Sequence, residues 1–382
     1  MEAAISPYHH SRTTLRIAVA AMFFMTGLCF SSWTSRIATI QQTLDLSEAA
    51  LGGVLFALPV GLMCSLPFSG WIITKIGSRN LLVAALVVYS LSLVTLGLAQ
   101  NVIQLVICLV IFGFSSNAVN ISVNTQAVAA EELYKRPILA SFHGLWSLAG
   151  FTGGLIGVFM MRMHIIPWHH FAIILGIILL IVFITIPYLK NDKVVDSGPV
   201  FVMPDNSLIK LGAIAFCSMI CEGAMFDWSV IYFKKVVLAP IDWIGAGFTA
   251  FMATMALGRF VADSFAHRFG LKRTMQISGM LTATGLLIAV IFPHFYTALI
   301  GFLFVGAGVS SVVPMVYSAA GKSKTMKPGV ALAAVSTLGF MGFLIGPPII
   351  GFIAGLATLR ASFTLIAMMG ICVTIVSTKA KI

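Results

Sequence analysis

The chain is built of apolar runs separated by short polar connections. Twelve runs can be marked, at 15–39, 48–74, 80–99, 103–130, 138–162, 168–189, 208–234, 242–266, 271–292, 296–320, 329–356 and 360–378. None alternates strictly between apolar and polar residues, so each predicts a helix rather than a strand. Each is also near the ~20 residues a helix needs to cross a bilayer core. The punctuation falls between runs: Lys135-Arg136-Pro137, Gly198-Pro199, and Lys322 through Pro328.

Composition turns these helices into membrane spans. Of 382 residues, 59% are hydrophobic and 9% charged, with a mean hydropathy of +1.03. A soluble domain carries about 25% charged residues. In lipid every backbone polar group must be satisfied internally, which leaves helices or a closed barrel. The first run follows Arg12 and Arg16 and continues past any small-residue cleavage site, so it reads as an uncleaved span rather than a secretory leader.

The net charge of +11 changes less than it suggests. The basic residues are spread over short connections, without the stripe or arm that a nucleic-acid binder presents, so no nucleic-acid partner is expected. Most fall on one side of the twelve-span layout, among them Arg12, Arg16, Lys75, Arg79, Lys190, Lys210 and Lys379. By the positive-inside rule that side is cytoplasmic and both termini lie there, which predicts a multi-pass protein of the inner membrane with lipid as its partner. The six cysteines all sit inside apolar runs, with no metal or disulfide spacing.

The only long connection, residues 190–207, divides the chain into halves of 1–189 and 208–382. The halves resemble each other. GFTGGLIG (150–157) matches GFMGFLIG (339–346), KIGSR (75–79) matches RFGLK (268–272), GFSSN (113–117) matches GVSSV (308–312), and Trp33 pairs with Trp228. Ordered matches at offsets between 189 and 195 imply two parallel six-helix repeats. Transporters that rock two halves around a midplane site are built this way.

Polar residues inside the spans are the candidate chemistry. Glu222 lies about 21 Å into span seven and Asp227 about 7.5 Å further along. A bare carboxylate at such depth is costly, so it faces water, pairs with a cation, or carries a proton, and the last makes it a candidate for proton coupling. The two project about 140° apart on a helix and are not expected to share a proton. Arg36 is a candidate partner for Asp227, or it snorkels to the headgroups. Asn117, Asn120 and Asn124 form a stripe on span four. These amides suit a hydroxyl-rich cargo, or they bond neighbouring helices; Asn124 is placed to meet His143. His143 is a candidate protonation site or a packing residue. Trp33, Trp228 and Tyr317 either contact cargo or pack. Arg259 and Asp263 are four apart on span eight and read as an intrahelical pair serving a gate.

Read together, these features resemble the major facilitator superfamily along essentially the whole chain. Its signature, Gly-x3-Asp-(Arg/Lys)-x-Gly-x-(Arg/Lys)-(Arg/Lys), is echoed by GWIITKIGSRN, with Gly70, Lys75, Gly77 and Arg79; Thr74 stands at the acidic position and Asn80 at the last basic one. The second copy, DSFAHRFGLKR, supplies Arg268, Gly270, Lys272 and Arg273, with His267 at the acidic position and Asp263 one turn earlier. The charge relay this motif implies is therefore weakened in both copies. SSWTSRIATI, FHGLWSLAG and EGAMFDWS resemble one branch of bacterial inner-membrane permeases that includes a rhizopine transport protein.

The expectation is an all-α membrane protein of twelve transmembrane helices in two pseudo-symmetric six-helix bundles. It would work as a monomer, moving a small sugar-like or polyol-like substrate by alternating access with protons. The resemblance raises that cargo class by analogy. A proton-driven efflux antiporter is the alternative and a non-transporting membrane sensor a remote one. The resemblance implies a Gly-Pro signature in span five for the superfamily's exporters, whereas here span five carries Gly150, Gly153, Gly154 and Gly157 but no proline and GPPIIG (346–351) lies in span eleven, so export finds little support. No nucleophile–base set, metal cluster or phosphate-binding loop is present, so neither an enzyme, a cofactor nor ATP drive is expected.

Overall fold

A computed structural model describes residues 11–134, 138–190, 206–321 and 328–380. Most of the expected linker, 190–207, lies outside the described residues. The rest forms helices α1 (Arg12–Thr43), α2 (Glu48–Leu55), α3 (Ala57–Leu98), α4 (Val102–Tyr134), α5 (Leu139–Arg162), α6 (Pro167–Thr185), α7 (Asn206–Lys235), α8 (Ala246–Phe269), α9 (Leu271–Ile291), α10 (Phe295–Gly321), α11 (Pro328–Leu356) and α12 (Leu359–Lys379).

Among the described residues, eleven helical stretches are long and apolar enough to cross a membrane, and one of them, Glu48–Leu98, is 51 residues long. At 1.5 Å per residue that stretch would reach about 75 Å, more than twice a ~30 Å hydrocarbon core. It is two crossings, the second and third expected from the sequence, and Gly77 (φ 80°, ψ 161°) breaks the helix between them. The brief interruption at Phe56 has a local cause, since Pro59 has no N–H to offer the carbonyl of Leu55.

Gly270 (φ 79°, ψ 154°) makes the same turn between α8 and α9. The repeat is thus visible in backbone geometry. Asp45 and Leu238, which follow α1 and α7, both take positive φ. On α4, a Cβ at Gly113 would strike the Leu58 carbonyl, and on α10 a Cβ at Gly306 would strike that of Phe251. All these pairs share one offset of 193 residues (45 to 238, 58 to 251, 77 to 270, 113 to 306). The GFSSN/GVSSV and Trp33/Trp228 pairings, both at an offset of 195, are therefore two residues out of this register.

Backbone with φ near +80° and ψ near 160° is accessible essentially only to glycine, and another residue there costs about 1–3 kcal/mol. Gly77→Ala and Gly270→Ala should each lower thermal stability in detergent. Gly70→Ala should leave it unchanged or slightly raised, because nothing lies within 4 Å of a Cβ at that helical position.

The start of α1 and the end of α12 share one face. There the Lys210 Nζ donates to the Lys379 carbonyl, and Arg12 and Arg16 lie 5.4 and 5.3 Å from the Tyr134 ring centroid. Glu131 accepts from the backbone N–H groups of Ile138 and Leu139, which caps α5. Buried Gln126 bonds Ser78 and both backbone groups of Lys190, tying α4 to that end of the first half.

The opposite face is sealed between the halves. Lys235 pairs with Glu48, and Lys234 donates to Gln42 at 2.6 Å. Below these contacts α2 and α11 touch through glycine: a Cβ on Gly351 would lie 2.6 Å from the Glu48 carbonyl oxygen and 2.7 Å from Gly52 Cα. α5 and α8 pack along their lengths, from Gly144 against Phe260 to Gly154 against Thr249.

Candidate functional site

A cavity of about 270 Å³ lies between the halves. Its wall is drawn from α1 (Phe23, Thr26, Phe30), α2 and α3 (Leu55, Leu58, Pro59, Leu62, Tyr89), α4 (Ser116, Asn117, Asn120, Val123), α5 (His143, Trp146), α7 (Glu222, Gly223, Phe226, Asp227), α8 (Arg259) and α11 (Phe340, Phe343). Asn120 and His143 are solvent-exposed, and both lie toward the face that carries the start of α1 and the end of α12.

The α7 contribution follows from helix geometry. Residues 222, 223, 226 and 227 form a continuous strip, so both carboxylates reach one cavity although they diverge around the axis. Glu222 is paired: Arg259 Nη2 lies 3.2 Å from its Oε1, and the two side chains are 17% and 8% exposed. Arg259 also donates to Ser147 Oγ at 2.7 Å and stands 5.6 Å from the Trp146 ring centroid, so it joins α8 to α5 across the halves. The expected partner Asp263 has its side chain outside the described residues, and among the described residues Arg259 pairs with Glu222.

Among the described residues Asp227 makes no ion pair, and Arg36, the expected partner, is turned away. Arg36 is 2% exposed; its Nε donates to His170 Nδ1 at 3.3 Å and its Nη2 to the Ile165 carbonyl at 2.8 Å. It braces α1 against the connection from α5 to α6 and does not line the cavity. Nor does it snorkel.

The asparagine stripe splits. Asn117 and Asn120 line the cavity, whereas Asn124 Nδ2 donates to the side-chain and main-chain oxygens of Asn120 at 2.9 and 2.8 Å. The expected Asn124–His143 bond is replaced by this one. His143 instead sets its ring edge-on to Phe23, with centroids 5.3 Å apart.

Trp33, Trp228 and Tyr317 are also outside the cavity. Trp33 and Trp228 are 1% and 0% exposed, core residues of the two halves, and Tyr317 packs against a cluster around Leu211 and Val316. Because the indole nitrogens of Trp33 and Trp228 have no partner among the described residues, a phenylalanine in either place should cost stability through lost packing alone. Trp33→Phe and Trp228→Phe are expected to leave cargo affinity unchanged in a binding assay.

The motif residues Lys75, Lys272 and Arg273 are exposed and Arg79 is half-exposed. Among the described residues none of them pairs with a carboxylate, and Arg268 lies 5.5 Å from the Phe269 ring centroid. No group of three or more metal-ligating side chains occurs among the described residues.

The aromatic part of the wall was not singled out from the sequence. Phe226 is its hub, 5.1 Å from Phe30, 6.0 Å from Trp146, 5.7 Å from Phe251 and stacked 6.3 Å from Phe343. In a chain this apolar a phenylalanine in a span carries no mark of its role. The one local signal was its place between Glu222 and Asp227.

Comparison with known proteins places this architecture. A sequence model of the Major Facilitator Superfamily matches residues 17–238 and 211–379. An uncharacterized MFS-type transporter of Yersinia pestis is 30% identical over 368 residues, covering 96% of this chain and 94% of the relative. Membrane protein MosC of Rhizobium meliloti is 30% identical over 365 residues, 93% of this chain and 88% of its own. Among solved structures, the nucleoside transporter NupG superposes with a TM-score of 0.74 at 12% identity, over 96% of this chain and 100% of that one, a likeness of fold. With family matches on both halves and relatives aligned along nearly the full length, this chain belongs to the Major Facilitator Superfamily of membrane transporters.

Proposed function

We propose that the chain is a secondary active transporter that carries a small sugar-like or polyol-like metabolite across a bacterial inner membrane by alternating access, coupled to protons. The observation behind this reading is the composition of the cavity wall. Glu222, Asp227 and His143 supply groups that can hold or exchange a proton, Arg259 supplies a fixed positive charge, and Asn117 and Asn120 supply amides for hydroxyl groups. Residues 1–189 and 208–382 act as the two rocking halves with 190–207 between them, both chain ends are cytoplasmic, and one copy suffices. The turns at Gly77 and Gly270, with their flanking Lys75, Arg79, Arg268, Lys272 and Arg273, serve the cytoplasmic side of the cycle.

A second reading has its own support. Phe23, Phe30, Trp146, Phe226, Phe340 and Phe343 give the cavity a largely aromatic surface, which suits a proton-driven exporter of amphipathic compounds. Proteoliposomes with an imposed pH gradient separate the two. Under the favoured reading a labelled polyol or sugar accumulates with the proton gradient and acidifies the lumen. Accumulation of an amphipathic cation against the proton flow, with polyols inert, would replace it.

A further inference from the structure

Two hydrogen-bond donors in the cavity wall have no partner among the described residues. The Tyr89 hydroxyl and the Asn117 amide nitrogen are both buried, and neither bonds any described residue. Tyr89 is 0% exposed and Asn117 is 3% exposed, yet both belong to the wall. Buried donors are nearly always paired, because an unmade bond leaves the cost of desolvation uncompensated. The other buried unpartnered groups, such as the Trp33 indole, lie away from the cavity. What distinguishes Tyr89 and Asn117 is that they belong to the lining of the cavity.

Local packing keeps them unpartnered. The Tyr89 ring lies 4.4 Å from that of Phe112, which holds it against α4, and Ser116 interacts with the Tyr89 hydroxyl without reaching hydrogen-bond geometry. Asn117 sits five residues beyond Phe112 on the same helix. Both donors belong to the first half. Asp227, the carboxylate with no ion pair among the described residues, belongs to the second.

We infer that Tyr89 and Asn117 form a subsite for an oxygen acceptor of the cargo, a hydroxyl or ring oxygen of a polyol or sugar, while Asp227 accepts a hydrogen bond from a donor on the same molecule. This rests on the proposed function and narrows it. A cargo that satisfies both walls must carry acceptor and donor groups together, as vicinal hydroxyls do. An amphipathic ring system without them would leave both donors unmet. Sites built to bond a hydroxyl reject analogues lacking it far more strongly than sites that match shape alone.

Tyr89→Phe removes one oxygen and keeps the ring; Asn117→Leu keeps the volume and removes the amide. Thermal unfolding of the purified full-length protein would be followed alone and with myo-inositol, sorbitol, glucose or tetraphenylphosphonium. With no ligand, Tyr89→Phe should unfold at or above the wild-type temperature, because no internal bond is lost. For a polyol or sugar that stabilises the wild type, each variant should bind about tenfold more weakly. Early unfolding of ligand-free Tyr89→Phe would reveal a structural partner and overturn the inference. So would equal polyol affinity in the wild type and both variants. If no polyol or sugar stabilises the wild type, the proposed cargo class falls instead, and the assigned ligand of the subsite with it.

Discussion

Replacing Glu222 with glutamine is expected to abolish proton-driven accumulation of cargo while cargo exchange continues. Glu222 is nearly buried, and its one charged contact is Arg259, which also reaches Ser147 on the other half. A proton arriving at Glu222 cancels the charge that holds Arg259, so loading that site changes a contact between the halves. Glutamine keeps an oxygen for Arg259 but cannot take up or release the proton. With one unit of pH gradient, one coupled proton supports about tenfold accumulation. The variant should fall to a ratio of one while still exchanging labelled for unlabelled cargo. Accumulation at the wild-type level would remove Glu222 from the mechanism. The opposite change, Arg259→Gln, strands a carboxylate at the same place. Breaking a buried pair in this way costs about 3–5 kcal/mol, so this variant should be poorly stable, and adding Glu222→Gln to it should recover part of the loss.

The second large effect is expected at Gly351. A Cβ there would meet backbone atoms of Glu48 and Gly52, and backbone cannot swing aside as a side chain can. Gly351→Ala must therefore part α2 from α11 on the face remote from the start of α1 and the end of α12. Overpacking of this kind costs about 1–3 kcal/mol. The cost falls only on conformations in which that face is closed, so it lowers their population by about 5–150-fold. A cysteine at Thr26, in the cavity wall, should then react faster with an impermeant maleimide added from the remote side, in a background with the native cysteines replaced. Gly53→Ala is the control, because nothing lies within 4 Å of a Cβ at that neighbouring position. Equal labelling in Gly351→Ala and Gly53→Ala would show that the glycine contact does not govern closure.

Much of the fold was legible in the chain itself. Lipid demands internally bonded backbone and runs of fixed length, so the apolar segments marked the helices to within a few residues. The repeat was legible as well, because a glycine needed at positive φ leaves a trace in both copies: Gly77 and Gly270 were paired by sequence and take the same dihedrals. Glu222 stood out because a carboxylate inside hydrocarbon is rare enough to need a reason.

The partners were not legible. Sequence spacing offered Arg259 its neighbour Asp263 and offered Asp227 the depth-matched Arg36, whereas the folded protein joins Arg259 to Glu222, 37 residues away, and Arg36 to His170, 134 residues away. Trp33 and Trp228 match in sequence and yet fill core, while Phe226 and Tyr89, unremarkable as letters, reach the cavity. The physical reason is rotation. Hydrophobic runs determine that a helix exists and roughly where it ends, since those depend on its own residues and the thickness of lipid. The direction each side chain faces depends on how every helix turns about its axis as the bundle packs, and only the tertiary structure decides that.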